Sequence, residues 1–268
     1  MQENNRKRRI LLIVSYDGTN YHGWQLQPNA VTIEEKLNEA IFVLTGEKNQ
    51  VIGASRTDAG VHALGNAAVF DTHSRIPAEK FSYALNRILP EDIVIQSSKE
   101  VKRSFHPRHC ASRKTYEYTI LNRTFPLPEY RNYAILFYGI LDLEQMNRAA
   151  GYLIGEHDFA SFCSVGAQVQ TTVRTIYAAG FEKQGECLKF RITGNGFLYN
   201  MVRIIVGTLL EVGKGRLRPE DLEKILMAKS RDAAGPTAPA KGLKLLEILF
   251  EEETEEACGQ QADSTVEK

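Results

Sequence analysis

The sequence has no long apolar run, and none of its 268 residues lies in a stretch approaching the roughly 20 apolar residues of a membrane-spanning helix. Its start, MQENNRKRRI, leads directly into a short β-like run and lacks the apolar region of a signal peptide. We therefore expect a cytoplasmic protein with no membrane partner.

Cysteine is scarce, and no two cysteines lie close together in the sequence. The four cysteines are Cys110, Cys163, Cys187 and Cys258, and none belongs to a CxxC pair. This spacing argues against a disulfide framework and against a structural zinc site. We expect all four to be reduced thiols.

The chain has no net charge overall, but its acidic and basic residues are unevenly distributed along the sequence. Residues 251–268 contain seven acids and one lysine, net −6, whereas residues 1–250 contain 32 basic and 26 acidic side chains, net +6. A basic body suits a polyanionic partner, and scattered solvated lysines and arginines would give the same excess. With 43% hydrophobic and 25% charged residues, the chain has the composition of a globular protein.

The first half has the pattern of strands alternating with helices. A capping box of Thr32 and Glu35 precedes apolar residues at helical spacing. The predicted elements are a strand at 8–16, a helix at 32–46, strands at 50–55 and 66–71, a helix at 77–88 and a strand at 91–101. Their order is βαββαβ.

The second half repeats that order with one extra helix. The predicted elements are a strand at 112–121, a helix at 143–154 capped by Asp142, strands at 172–182 and 186–193, helices at 197–212 and 219–229, and a final strand at 242–250. Two such units predict an α+β fold of two ferredoxin-like or RRM-like halves, which form a two-lobed subunit with a central cleft.

The predicted boundaries divide the chain into four segments. Residues 1–7 form a basic N-terminal extension, 8–105 the N-terminal lobe and 106–250 the C-terminal lobe. Residues 251–268 have no periodicity and few apolar residues, so we expect an acidic, disordered tail.

The run GASRTDAGVHALG concentrates Arg56, Asp58 and His62 between two predicted strands. Asp-Ala-Gly is also an ordinary turn sequence, because Asp bonds locally and Gly tolerates positive φ. Loops held between rigid strands often carry function, which keeps a functional interpretation of Asp58 open.

The run GNGFLYNMVRIIVG lacks the third glycine of a dinucleotide-binding loop, since Tyr199 occupies that position. Arg203 lies in an otherwise apolar helical stretch. An unpaired buried charge is costly, so we expect Arg203 to meet a carboxylate or an anionic ligand unless its side chain reaches the surface.

Two further runs contain aromatic and polar side chains suited to RNA. In SRKTYEYTILN, Tyr116 and Tyr118 share one face of a strand beside Arg113 and Lys114, either as core residues or as a stacking surface for an unpaired base. YDGTNYHGWQLQP is a polar, aromatic loop that could contact a nucleic-acid backbone, although Asp-Gly is also a plain turn signal.

A possible metal cluster lies in FHPRHC, which contains His106, His109 and Cys110. No second cluster of matching spacing completes it, so we predict no metal site.

Five runs along the chain resemble, in the same order, the tRNA pseudouridine synthase A family. They are YDGTNYHGWQ, GASRTDAGVHALG, RKTYEY, GNGFLYNMVRIIVG and APAKGLKLLEI, and together they span about residues 8–250. The resemblance implies an isomerase that converts uridine to pseudouridine at positions 38–40 of the tRNA anticodon arm, without a cofactor and as a homodimer. Asn66 stands where many relatives have Gln, the one departure noted.

The resemblance also implies a role for each matching residue. It makes Asp58 the catalytic nucleophile, Arg56 a partner in placing the substrate and Tyr116 the ring stacked on the target base. Arg203 becomes the basic partner of the aspartate and Leu243 a wall of the base pocket. Two alternatives stay open: a non-catalytic module that binds structured RNA, and a metallohydrolase that uses His106, His109 and Cys110.

Overall fold

The computed structural model describes residues 6–166 and 169–251, which form two compact units. The first unit comprises the described residues up to Ser112 and those from Leu245 onward, and the second comprises Arg113–Lys244. The predicted lobes have a different division, at 105/106, and assign the last strand to the second lobe. The acidic tail beyond residue 251 lies outside the described residues, so its disorder stays a prediction.

The first unit follows the predicted βαββαβ order. Its elements are β1 (Arg8–Tyr16), α1 (Ile33–Thr45), β2 (Ile52–Gly53), β3 (His62–Thr72), α2 (Phe81–Leu85) and β4 (Ile93–Val101). Strand β1 pairs antiparallel with both β3 and β4, and β2 pairs antiparallel with β3. This is the arrangement expected of a ferredoxin-like unit, whose central strand is the first in sequence.

The elements of this unit form where the local sequence predicts them. The Thr32 hydroxyl accepts from the Glu35 N–H while the Glu35 carboxylate accepts from the Thr32 N–H, so α1 begins with a complete capping box. It ends at Gly46, whose φ of 72° suits a left-handed cap. In β1, alternate side chains from Ile10 to Val14 are fully buried, as a period of two requires.

Two elements of the first unit differ from the prediction. Strand β3 begins at His62, four residues earlier than expected, because its early residues pair with the end of β1. Helix α2 has only five residues; at its end the Asn86 side chain bonds both backbone groups of Ile95 on β4.

The second unit contains the remaining elements. They are β5 (Ser112–Asn122), β6 (Ile135–Phe137), α3 (Leu143–Gly151), β7 (Gly155–Asp158), β8 (Val173–Gln184), β9 (Cys187–Gly194), α4 (Met201–Gly213) and α5 (Asp221–Ala228). Its strand order is β5-β9-β8-β7, and β6 pairs with β5 in parallel. A last strand, β10 (Leu243–Phe250), starts in this unit and continues in the first. The short strands β6 and β7 are absent from the predicted order. The predicted α+β fold class is confirmed.

Helix α4 forms the core of the second unit. Only Arg203 and Glu211 of its thirteen residues are not buried, as expected of a helix that is apolar on every side. Within the described ranges, no helix is both long enough and apolar enough to cross a bilayer.

Candidate active site

The loop between β2 and β3 carries the first group of predicted site residues. Arg56 is exposed, Thr57 is buried and Asp58 is half-buried. The Val61 N–H donates to the Asp58 carbonyl at 3.1 Å, and Gly60 has a φ of 76°. Asp-Ala-Gly therefore forms the tight turn that its composition predicts, with the Asp58 side chain at its beginning.

A second segment, residues 17–24, packs directly against this loop. The Trp24 N–H donates to the Thr57 carbonyl at 3.0 Å, and the Gly60 N–H donates to the Tyr21 carbonyl at 3.2 Å. At Gly23, where φ is 90°, a side chain would place its first carbon 2.5 Å from the Thr57 carbonyl oxygen. Only glycine allows so close an approach. Residues 21–24 of the run YDGTNYHGWQLQP, which the sequence suggests as a nucleic-acid contact, thus stabilise the loop that carries Asp58.

Two buried rings complete this support. Trp24 is fully buried, and a side chain on Gly53 would come within 2.3 Å of its ring. His62 is also buried, and its Nδ1 accepts from the Gly18 N–H at 3.1 Å. Trp24 packs at the start of the loop and His62 bonds at its end. The role of His62 seen here is therefore structural.

The segment 105–110 contains the histidines considered as metal ligands. The rings of His106 and His109 are in contact, with their centroids 4.1 Å apart and their planes tilted by 42°. Burial, followed by the proximity of His109, lowers the pKa of His106 to about 4. Across the two described ranges, no three His, Cys, Asp or Glu side chains are arranged to hold a metal ion. The metallohydrolase interpretation therefore lacks a ligand set there.

Tyr116 lies in the second unit on β5, where it is buried. Its ring meets the Phe197 ring edge to face, with centroids 5.1 Å apart and planes at 79°. Tyr118 shares the same strand face and is fully buried; its hydroxyl donates to the Pro239 carbonyl at 2.7 Å. Burial raises the pKa of Tyr118, so this phenol stays protonated.

Arg203 lies in the first turn of α4, and its guanidinium has fixed neighbours. Its Nε donates to the Ala238 carbonyl and its Nη1 to Asn200 Oδ1, both at 2.7 Å. In return, the Ala238 N–H donates to the Arg203 carbonyl at 3.0 Å. These bonds orient the planar guanidinium, which a flexible surface arginine would not achieve.

Asn200 belongs to the GNGFLYNMVRIIVG run, but the sequence interpretation gave it no role. It precedes α4 with a φ of 60°, a left-handed conformation that Asn adopts more readily than most residues. Its Oδ1 accepts from Arg203, and its Nδ2 donates to the Ser164 hydroxyl at 2.9 Å. An Asn three residues before an Arg at the start of a helix was the available signal, because these positions lie on one face.

Leu243 is buried at the start of β10. The segment before it, residues 236–242, contacts both α4 and β5. A side chain on Gly207 would come within 1.7 Å of the Pro236 carbonyl oxygen, and one on Gly242 within 2.6 Å of the Tyr118 ring. This segment therefore contacts both Arg203 and Tyr118 and leads directly into Leu243, all within the second unit.

Comparison with known proteins gives a consistent result. A family model described as tRNA pseudouridine synthase matches residues 12–109 and 149–251. The tRNA pseudouridine synthase A of Acetivibrio thermocellus is 53% identical over 245 residues, covering 91% of this chain and 100% of that protein. That of Thermoanaerobacter sp. (strain X514) is 51% identical over 243 residues, with the same two coverages.

The chain belongs to the tRNA pseudouridine synthase A family. The family expected from the sequence motifs is thus confirmed, and this member is an isomerase that forms pseudouridine from uridine in tRNA. Arg56 and Asp58 lie in the first matched block of the tRNA pseudouridine synthase model and Arg203 and Leu243 in the second, whereas Tyr116 lies between the blocks.

Among solved structures, a chain in the archaeal box H/ACA sRNP Nop10–Cbf5 complex has a TM-score of 0.30 and 12% identity to this synthase. The alignment covers 90% of this chain and 54% of that chain, and so low a TM-score does not bear on the fold.

Proposed function

We propose that this synthase isomerises uridine at positions 38–40 of the tRNA anticodon stem-loop, with Asp58 as its nucleophile and without a cofactor. We further propose that it acts in the cytoplasm as a homodimer. The supporting observation is the position of Asp58, a half-buried carboxylate at the start of a turn whose neighbours are bonded to residues 21 and 24. A carboxylate on a backbone held in this way is suited to nucleophilic catalysis.

The reaction conserves all atoms. The bond between N1 of the base and C1′ of the ribose breaks, a bond from C1′ to C5 forms, C5 loses its proton and N1 gains one. A carboxylate can assist by attacking C1′ or C6, or by stabilising a glycal-type intermediate. No electrons leave or enter the substrate, so the chemistry requires no redox partner.

The remaining residues receive supporting roles in the proposal. Arg203 favours the charged form of the aspartate, as a guanidinium does for a neighbouring carboxylate. Tyr116 stacks on the target base once it leaves its own stack, which offsets part of the cost of about a few kcal/mol. Arg56 helps place the substrate, and Leu243 forms a wall of the base pocket. Support comes from the oriented guanidinium of Arg203.

The test compares Asp58→Asn with the wild-type protein on tRNA transcripts that contain one uridine at position 38, 39 or 40, or none. Uridine labelled with tritium at C5 releases the label to water as the C1′–C5 bond forms. We expect label release only from transcripts with a uridine at these positions, without added metal, and a fall of at least about a thousandfold for Asp58→Asn.

A matched control is Asp142→Asn, which makes the same change at the start of α3. Asp142 caps that helix by accepting from the Gln145 N–H, a bond that Asn can also accept. The control should keep the wild-type rate. A normal rate for a folded Asp58→Asn protein would refute the role of Asp58. Tight tRNA binding with no new nucleoside from the wild-type protein would instead indicate a binding module.

A further inference from the structure

A buried amide holds the backbone just before Asp58. Asn66 on β3 is fully buried, and its side chain binds both backbone groups of Ser55. Asn66 Nδ2 donates to the Ser55 carbonyl at 3.0 Å, and the Ser55 N–H donates to Asn66 Oδ1 at 3.3 Å. The loop therefore leaves β2 in a direction set by a side chain of β3.

The same amide is hydrogen-bonded to a pair of linked hydroxyl groups. Asn66 Nδ2 also donates to the Tyr16 hydroxyl at 3.3 Å, and that hydroxyl lies 2.7 Å from the Thr57 hydroxyl, either of which can be the donor. Tyr16 and Thr57 are 4% and 7% exposed. Thr57 directly precedes Asp58, so the chain from Asn66 through Tyr16 ends one residue from the proposed nucleophile.

These bonds determine how far the backbone at Asp58 can move. The loop is tied at Ser55 and Thr57 before Asp58, and at Gly60 and Val61 after it. A buried polar network that is fully paired rigidifies its surroundings, and removal of one member leaves another group buried without a partner. Displacing a reacting group by about 1 Å can cost about a hundredfold in rate.

We propose that Tyr16 and Asn66 are positioning residues, which hold the Asp58 carboxylate in place for catalysis through Thr57 and Ser55. This proposal rests on the proposed function of Asp58. It differs from a purely structural role in one measurable respect. A structural role lowers stability alone, whereas positioning lowers kcat in protein that is folded and saturated with tRNA.

The experiment is a double-mutant cycle on kcat with Tyr16→Phe and Thr57→Val, each of which removes one hydroxyl with little change of shape. We expect each single variant to lower kcat by at least about tenfold, with the Kd for tRNA within about twofold of wild type. The double variant should lose no more than Tyr16→Phe alone, because that change already removes the hydrogen bond that Thr57→Val removes. Asn66→Ala should lower kcat at least as far.

Ser98→Ala is the matched control in the same unit. Ser98 is buried on β4, and its hydroxyl accepts from the Ser82 N–H at 2.9 Å. The control should lower the melting temperature by an amount similar to Tyr16→Phe but keep the wild-type kcat.

The proposal is overturned if Tyr16→Phe and Thr57→Val keep the wild-type kcat, or if their losses multiply in the double variant. Tyr16→Phe decides the matter even if Asn66→Ala fails to fold. If these variants are normal while Asp58→Asn is inactive, only the positioning role is lost. If Asp58→Asn is active, both the positioning role and the proposed function of Asp58 are refuted.

Discussion

The two regions that carry the proposed catalytic groups are built in different ways. In the first unit, Asp58 lies on a loop held by bonds from residues 16–24 and from Asn66. Arg108 holds the strand end before the loop, because its Nε donates to the Gly53 carbonyl at 2.9 Å. In the second unit, Arg203 lies in the first turn of α4, a regular helix whose apolar sequence is buried on almost every side. The partners of its guanidinium include Asn200, three residues earlier in the chain, and Ala238.

This difference indicates where each region is vulnerable. Loop geometry that other segments impose can be lost through changes far from Asp58 in the sequence, especially at glycines whose space is filled by a neighbour. A side chain on a well-formed helix is affected mainly by changes to that side chain or its direct partners. The predictions below follow this contrast, from the largest expected effect to the smallest.

Gly53→Ala should destabilise the protein by about 3 kcal/mol, because the new methyl group would lie 2.3 Å from the ring of fully buried Trp24. Unfolding in urea measures this loss. Gly151→Ala is the control: nothing lies within 4 Å of the added carbon at that exposed end of α3, so its stability should equal or exceed that of the wild type. Equal stability of both variants would mean that the ring does not hold the start of the loop.

Arg203→Lys should lower kcat by about a hundredfold, equivalent to about 2.7 kcal/mol, with little change in melting temperature. Lysine keeps the charge but loses the planar fork that bonds Ala238 and Asn200 at once. The same change at Arg148, an exposed residue of α3, should have no effect. A normal kcat for Arg203→Lys would show that charge alone suffices.

Tyr116→Ala should weaken tRNA binding by about tenfold, or about 1.4 kcal/mol, because a ring that stacks on a base contributes roughly 1–3 kcal/mol. Tyr116→Phe keeps the ring and should bind as the wild type does. Equilibrium binding to a tRNA transcript measures both. Equal affinity of the Ala and Phe variants would rule out stacking.

Lowering the pH should reduce the free energy of unfolding slightly, because His106 takes up a proton more readily in the unfolded chain. Its pKa in the folded state is about 4, whereas an unfolded histidine titrates near 6.5. Between these values the unfolded chain takes up a proton that the native protein does not, so stability decreases as pH falls from 6.5 towards 4. Partial exposure keeps the effect below about 1 kcal/mol.

Melting temperatures measured across that pH range should fall less steeply for His106→Gln than for the wild type. His22→Gln, at an exposed position in the first unit, is the control and should follow the wild-type curve. A wild-type slope for His106→Gln would place the acid sensitivity elsewhere.

Local sequence was sufficient for the elements with strong periodic patterns. The capping box at Thr32, the period-two burial of β1 and the Asp142 cap of α3 all occur where the sequence predicts them. The strands β6 and β7 were missed because they are three and four residues long and have no apolar alternation. Their pairing with β5 and β8 defines them, and pairing between distant segments is not encoded locally.

For the candidate site, sequence alone identified the family and singled out Asp58, Tyr116 and Arg203 as residue types suited to the chemistry. It also predicted the turn at Asp58, because Asp-Ala-Gly has that preference by itself. Tertiary structure decided what surrounds those residues: the backbone bonds from Tyr21 and Trp24, and the buried amide of Asn66. The physical reason is that turn and cap preferences act within a few residues, whereas the hydrogen bonds that hold this loop join groups that meet only after folding.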